Sequence, residues 1–194
     1  AAASPDLQMM NTAAGIEVLA VSTYQTALTL PYIGGSAANA VVKAFATQTM
    51  KQHSDHLKAF NGIIANMGGT AVSKPLSQLV PTVNSAVKQI TSTSNTTSAT
   101  EMVVALALEL EMGAAETYSN DAAMLTDANA RNAVASVMGV EAQHAAILSA
   151  VQALVKGRAA NLIALPPNAA ALPGAAGKVG FPNAFLPTTN AIKS

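Results

Sequence analysis

Val140-Glu141-Ala142-Gln143-His144, inside the apolar run from Arg131 to Val155, sets a carboxylate and an imidazole three residues apart. On a helix, residues at that spacing share a face. The helical neighbours of the pair are Val134, Val137, Met138, Ala145 and Leu148, all apolar. A charge turned toward a core is costly unless another group pairs with it or binds it. Glu-x-x-His on an inner face is one way to hold a metal ion, so its meaning depends on what the other helices set opposite.

Three more long helices are expected around it. Asp6 caps the first, which reaches Leu30 just before Pro31. Gln8, Asn11, Thr12, Gly15, Ser22, Gln25 and Thr29 form one stripe on it. Glu17, the only charge between Leu7 and Leu30, lies roughly 120–180° from most of that stripe. It shares a face with Met10, Ala13, Ala14, Ala20, Val21 and Tyr24 and so points inward. Ser36 caps the second helix, which runs to Met67 and closes at Gly68-Gly69. Lys43, Lys51, Asp55 and Lys58 mark its wet side, and His53 and His56 lie opposite among Phe45, Leu57 and Phe60. The third helix opens at Ser98 or Thr100 and reaches Leu125. Glu101, Glu109 and Glu116, with Ser119 and Asn120, read as its solvated stripe. Glu111 is rotated about 140° or more from Glu109 and Glu116, among Val104, Ala107, Leu108 and Tyr118. Thr126-Asp127 turns the chain into the fourth helix, which ends near Lys156-Gly157.

The connections complete an all-α reading. Residues 70–97 form a long crossover between helices two and three, broken by Pro75 and Pro81, with a short helix over 82–90 and a Ser/Thr-rich loop over 91–97. Asn95-Thr96-Thr97 within it matches the N-glycosylation tripeptide, a weak signal by itself. Two hairpins joined this way make an antiparallel four-helix bundle over residues 1–157. Residues 158–194 hold Pro166, Pro167, Pro173, Pro182 and Pro187 beside Phe181, Phe185 and Leu186. They are expected to form an extended tail packing on the bundle or on a neighbouring subunit.

Composition narrows the function. Of 194 residues, 51% are hydrophobic and only 10% charged, against about 25% charged in ordinary globular chains. Net charge is zero with no basic cluster, which argues against nucleic acid as a partner. Absence of cysteine removes thiol catalysis, disulfides and Cys metal sites. A nucleophilic serine needs a base, and all three histidines already belong to the inward set. Gln8, Asn11, Thr12, Ser22, Gln25 and Thr29 make residues 7–30 a poor membrane span. The start at Ala1-Ala2-Ala3-Ser4-Pro5 resembles an end left by signal-peptide cleavage, so a secreted, periplasmic or cell-surface protein is expected. Low surface charge and the apolar tail favour self-association as a homo-oligomer or larger assembly.

The two halves echo each other. Glu17 precedes Tyr24 by seven residues and Glu111 precedes Tyr118 by seven; His53-x-x-His56 answers Glu141-x-x-His144. Through Ile16-Glu17 to Tyr24, Gly68-Gly69-Thr70-Ala71-Val72, Glu111 to Tyr118, and Val140 to His144, residues 6–156 resemble the ferritin-like superfamily. They are closer to its exported and desiccation-related group than to storage ferritins, and ten acids give no evident mineral-nucleating surface. Proteins of the di-metal branch take a Glu from each of two helices and Glu-x-x-His from each of the others. Glu17, His56, Glu111, Glu141 and His144 match that pattern in type and helix order, and His53 stands where it wants a glutamate.

The resemblance implies a divalent metal centre of one or two ions, iron or manganese, reacting with oxygen or peroxide or sequestering metal. Glu17 and Glu111 would be terminal carboxylates, His56 and His144 terminal imidazoles, and Glu141 a bridge. One imidazole nitrogen cannot bridge two ions as a carboxylate does, so His53 weakens the second position. Zn and Cu also suit such an imidazole-rich donor set. The pattern specifies fold more than activity. The competing reading is a structural, self-assembling protein that keeps a degenerate site for its fold.

Overall fold

The computed structural model describes residues 3–157 and residue 192. Among them lie five helices: α1 (Pro5–Thr29), α2 (Ala40–Asn66), α3 (Val80–Ser92), α4 (Thr96–Met124) and α5 (Ala128–Lys156). α1 pairs with α2 and α4 with α5 as hairpins, and the hairpins face each other through α1–α4 and α2–α5. Glu17 and Tyr24 meet Tyr118 and Glu111 in reverse order, so α1 and α4 are antiparallel. Gln52 and His56 likewise meet His144 and Glu141, so α2 and α5 are antiparallel too. This is the expected all-α bundle with one long crossover. The tail expected over 158–194 lies outside the described residues except for Ile192, which packs on the core and donates its N–H to Thr117 Oγ1 at 3.4 Å.

The helix starts differ from the sequence reading for local reasons. Ser4, not Asp6, caps α1, with Pro5 in its first turn where a missing N–H costs nothing. That frees Asp6 to tie α1 to the α4–α5 turn. Its carboxylate accepts from the N–H of Thr126, the N–H of Asp127 and Thr126 Oγ1 at 2.7–3.2 Å. Burial works against ionised Asp6, but these hydrogen bonds outweigh it and lower its pKa. Asn39 rather than Ser36 caps α2, because residues 30–38 are occupied by successive turns. Pro81 starts α3 instead of breaking the crossover, and Thr91 and Ser92 extend it. Asn95, accepting from Ser98 N–H, opens α4 earlier than Ser98 or Thr100.

Two glycine positions shape the crossover. Gly68, at φ 78°, adopts the left-handed conformation that ends α2, and the bonds Gly68 N–H to Ala65 O and Gly69 N–H to Ile64 O close the helix. Asn61 then grips Val72 by both its backbone N–H and its carbonyl, at 2.8 and 3.0 Å. Gly15 lets the crossover touch α1: Leu76 N–H donates to Gly15 O at 3.0 Å, and a Cβ at Gly15 would lie 3.3 Å from Leu76 backbone N.

The core divides along the bundle axis. Met9, Met10, Phe60, Ile64, Tyr118, Leu125 and Val134 fill one end. Tyr24, Ile33 and Ala46 form a smaller cluster near the α1–α2 turn, with Leu154 and Val155 beyond it. Between these ends lie the inward charges. α5 is long and apolar enough in composition to cross a membrane, and it carries Glu141 and His144 into the bundle interior.

Candidate metal centre

Each of the four bundle helices delivers its inward acid or imidazole to one place. Glu17 and Glu141 are fully buried, and His53, Glu111 and His144 are 1%, 2% and 4% exposed. The His56 side chain is 12% exposed. Desolvating six ionisable groups this far is unfavourable unless they satisfy one another or bind an ion.

They form two overlapping sets. Glu17, His53, His56 and Glu141 offer one group of donor atoms, and His53, Glu111, Glu141 and His144 the other; within each, the atoms lie within 4.8 Å of one another. Donors about 2.0–2.2 Å from a common ion can be at most about 4.4 Å apart, so a small contraction would suit metal binding. His53 and Glu141 belong to both sets. His53 places Nδ1 2.8 Å from Glu17 Oε2 and Nε2 3.2 Å from Glu111 Oε1. Glu141 places Oε1 3.0 Å from His56 Nδ1 and Oε2 3.2 Å from His144 Nδ1.

The fit of these donors to a metal can be tested on two atoms. His56 Nδ1 and Glu141 Oε1 are buried and face each other without hydrogen-bond alignment, so neither has a hydrogen-bond partner among the described residues. An ion between the donors would satisfy both. Mixed imidazole and carboxylate donors suit Fe, Mn or Zn, and the residues fit the group.

Supporting residues fix the donors. Tyr24 donates to Glu111 Oε1 at 2.5 Å, and Tyr118 donates to Glu17 Oε1. Each tyrosine therefore serves the glutamate of the other hairpin. Burial and the adjacent carboxylates push both phenols well above their ordinary pKa, so they remain donors. His144 Nε2 lies 2.7 Å from Gln52 Oε1; an amide oxygen only accepts, so Nε2 carries the hydrogen. That leaves Nδ1 toward Glu111 and Glu141. Tyr24 stacks on His53 with ring centroids 5.5 Å apart, and Phe45 meets the His144 ring edge-on.

Protons balance the charge of the cluster in the metal-free chain. Burial opposes ionisation of Glu17, but His53 and His56 outweigh it and lower its pKa. Burial is likewise overcome at Glu111, where hydrogen bonds from Glu141, His144 and His53 hold the carboxyl well below the usual range. Glu141 is raised, by burial first and then by its bond to Glu111, against the opposing pull of His144 and His56. Burial lowers the histidines, yet the carboxylates prevail: His53 is well above its ordinary value, His56 is at about 9, and His144 is raised.

All six residues expected from the sequence converge. Gln52 was missed, although it lies one turn before His56 on the same helical face. Glu116 corrects the solvated stripe: Glu109 is exposed and Glu101 half-buried, but Glu116 is 1% exposed. The neighbouring Thr117 accepts the Ile192 N–H, so chain beyond the bundle reaches this side of α4. Asp121, also buried, is pushed up to about 7 by desolvation, and its Oδ2 has no hydrogen-bond partner among the described residues.

The family model described as a ferritin-like domain matches residues 5–154, more than half of the chain. No curated protein and no solved structure matched it.

Proposed function

The chain belongs to the ferritin-like domain family, and from that premise we propose that it is a metalloprotein whose six-residue cluster holds one or two divalent ions, iron or manganese, for oxidase or peroxide chemistry or for metal sequestration. The observation that carries this reading is the pair of donor sets sharing His53 and Glu141. A bound redox ion of this kind would supply electron transfer to oxygen or peroxide.

The chain's own residues do the rest. Glu17, His56 and Glu141 would hold one position, and Glu111, His144 and Glu141 the other. Tyr118 and Tyr24 orient Glu17 and Glu111, and Gln52 fixes the His144 tautomer. His53, shared by both sets, is engaged at its two nitrogens by Glu17 and Glu111. Three carboxylates instead of four face the ions, which favours one position over the other. Export, and association of copies through the low-charge surface and the C-terminal segment, belong to the same proposal and rest on the sequence. We read α5 as a core helix, because Glu141 and His144 are buried against the other helices.

The competing reading, a polar core closed by protons alone, is favoured by the ion pairs among the six residues. Elemental analysis of protein purified without added metal separates them. The metal reading expects about one or two equivalents of a single transition metal, reduced at least tenfold in His144→Ala. Wild-type protein without stoichiometric metal would favour the closed polar core.

A further inference from the structure

A cavity of about 530 Å³ opens beside the candidate metal centre, between α1, α4 and the crossover helix α3. Pockets that take small molecules span roughly 300–1,000 Å³. Its inner end is formed by Tyr24, His53 and Glu111, the last two belonging to the metal-centre cluster. Its walls are aliphatic: Leu19 and Ala20 from α1, Val83 and Val87 from α3, Val104 and Ala107 from α4. Exposed Thr26, Thr82, Thr91 and Glu109 mark its rim.

The shape follows from the helices that build it. On α1 the lining extends from Ile16 to Ala27, and on α4 from Val103 to Ala114. Either span is about 16 Å at a rise of about 1.5 Å per residue. A space of 530 Å³ along that length has a mean cross-section of roughly 33 Å². That is wide enough for one extended chain. Small side chains leave it open: Ala20, Ala27, Ala46 and Ala107 line it in a chain with 4% aromatic residues and no Trp. α3 turns Val83, Val87 and Ile90 toward the slot, with Leu79 before its first turn, so this apolar stripe covers the space and does not fill it.

We propose that this slot binds a single-chain aliphatic molecule bearing one terminal oxygen function, with the chain under α3 and the oxygen toward His53, Glu111 and the metal centre. The assignment of the polar end rests on the metal-centre reading; that of the chain rests on the slot alone. In the metal-free protein the inner end presents the His53–Glu111 ion pair, which gives an anionic head no net attraction and leaves a neutral alcohol acceptable. A bound cation would add positive charge there and favour the anion.

The test is calorimetric titration of the full chain, metal-free and manganese-loaded, with dodecanol and with dodecanoic acid, beside metal analysis of the same samples. Saturable one-to-one binding of dodecanol to the metal-free chain, weakened at least tenfold by Ala107→Phe or Val87→Phe with helicity retained, supports the proposal. So does dodecanoic acid binding at least tenfold tighter after loading. Two variants on different helices guard against one that fails to fold. No saturable binding of either probe to wild type overturns the proposal, as does binding that both folded variants leave within twofold. Stoichiometric metal without probe binding overturns this proposal alone. Dodecanol binding without metal overturns the metal-centre reading and leaves the apolar slot standing.

Discussion

His53 has a carboxylate at each ring nitrogen, Glu17 at 2.8 Å and Glu111 at 3.2 Å, in the position where the family's di-metal pattern has a glutamate. A protonated imidazole there bridges two carboxylates through hydrogen bonds and adds positive charge where a second ion would gain from negative charge. His53→Glu should therefore raise metal stoichiometry toward two equivalents, measured by elemental analysis after loading and desalting. The same variant should lower the melting temperature of metal-free protein, because a fourth buried carboxylate replaces a counter-charge. Unchanged stoichiometry would show that His53 does not limit the second position. The inward direction of Glu17 and Glu111 was legible because each is the odd charge on its helix. Crosswise service by Tyr24 and Tyr118 was not, since a seven-residue spacing fixes a face but not the partner across the bundle. Glu116 was misread for a related reason: a helical wheel gives an angle, not what covers it.

The bundle helices were legible from their inward stripes; their starts were less so. Ser4, Asn39 and Asn95 each compete with another small polar residue nearby, and the capping choice depends on turns that tertiary contacts select. Gly15 is an element-scale feature that the sequence presented only as part of a polar stripe. In an ordinary helix interior, Gly→Ala stabilises by about 0.5–1 kcal/mol. At Gly139, exposed and with nothing among the described residues within 4 Å of an added Cβ, Gly139→Ala should realise that gain. At Gly15 the added Cβ would lie 3.3 Å from Leu76, so Gly15→Ala should give no gain or a loss of about 1 kcal/mol. Urea unfolding of both variants checks this. Equal stabilisation would mean the crossover yields freely at Leu76.

Across the whole molecule, the metal-free bundle is held at its centre by ionisation equilibria, and these set a pH window. The histidines have folded pKa values above the ordinary 6.5, with His56 at about 9. Their contribution is fully present below about pH 6.5 and is lost as pH rises through each folded value, about 9 for His56. Glu17 and Glu111 are depressed below 4.5, so their contribution is present above that value and is lost as pH falls through their folded range. Metal-free protein should melt highest between about pH 4.5 and 6.5 and lose several degrees by pH 9, measured by circular dichroism. Metal-loaded protein should hold its stability to higher pH, because the ion replaces protons as counter-charge. A flat metal-free profile would mean the histidines do not share the carboxylates' charge.

On the proposed function, protons and metal ions compete for the same six residues. Calorimetric titration of metal-free protein with Mn²⁺ near pH 7, in two buffers of different ionisation enthalpy, measures it directly. We expect saturation at about one or two equivalents with release of about one or more protons per ion, and loss of both in Glu141→Ala. Absence of saturable binding, or binding that releases no protons and survives in Glu141→Ala, would contradict the account.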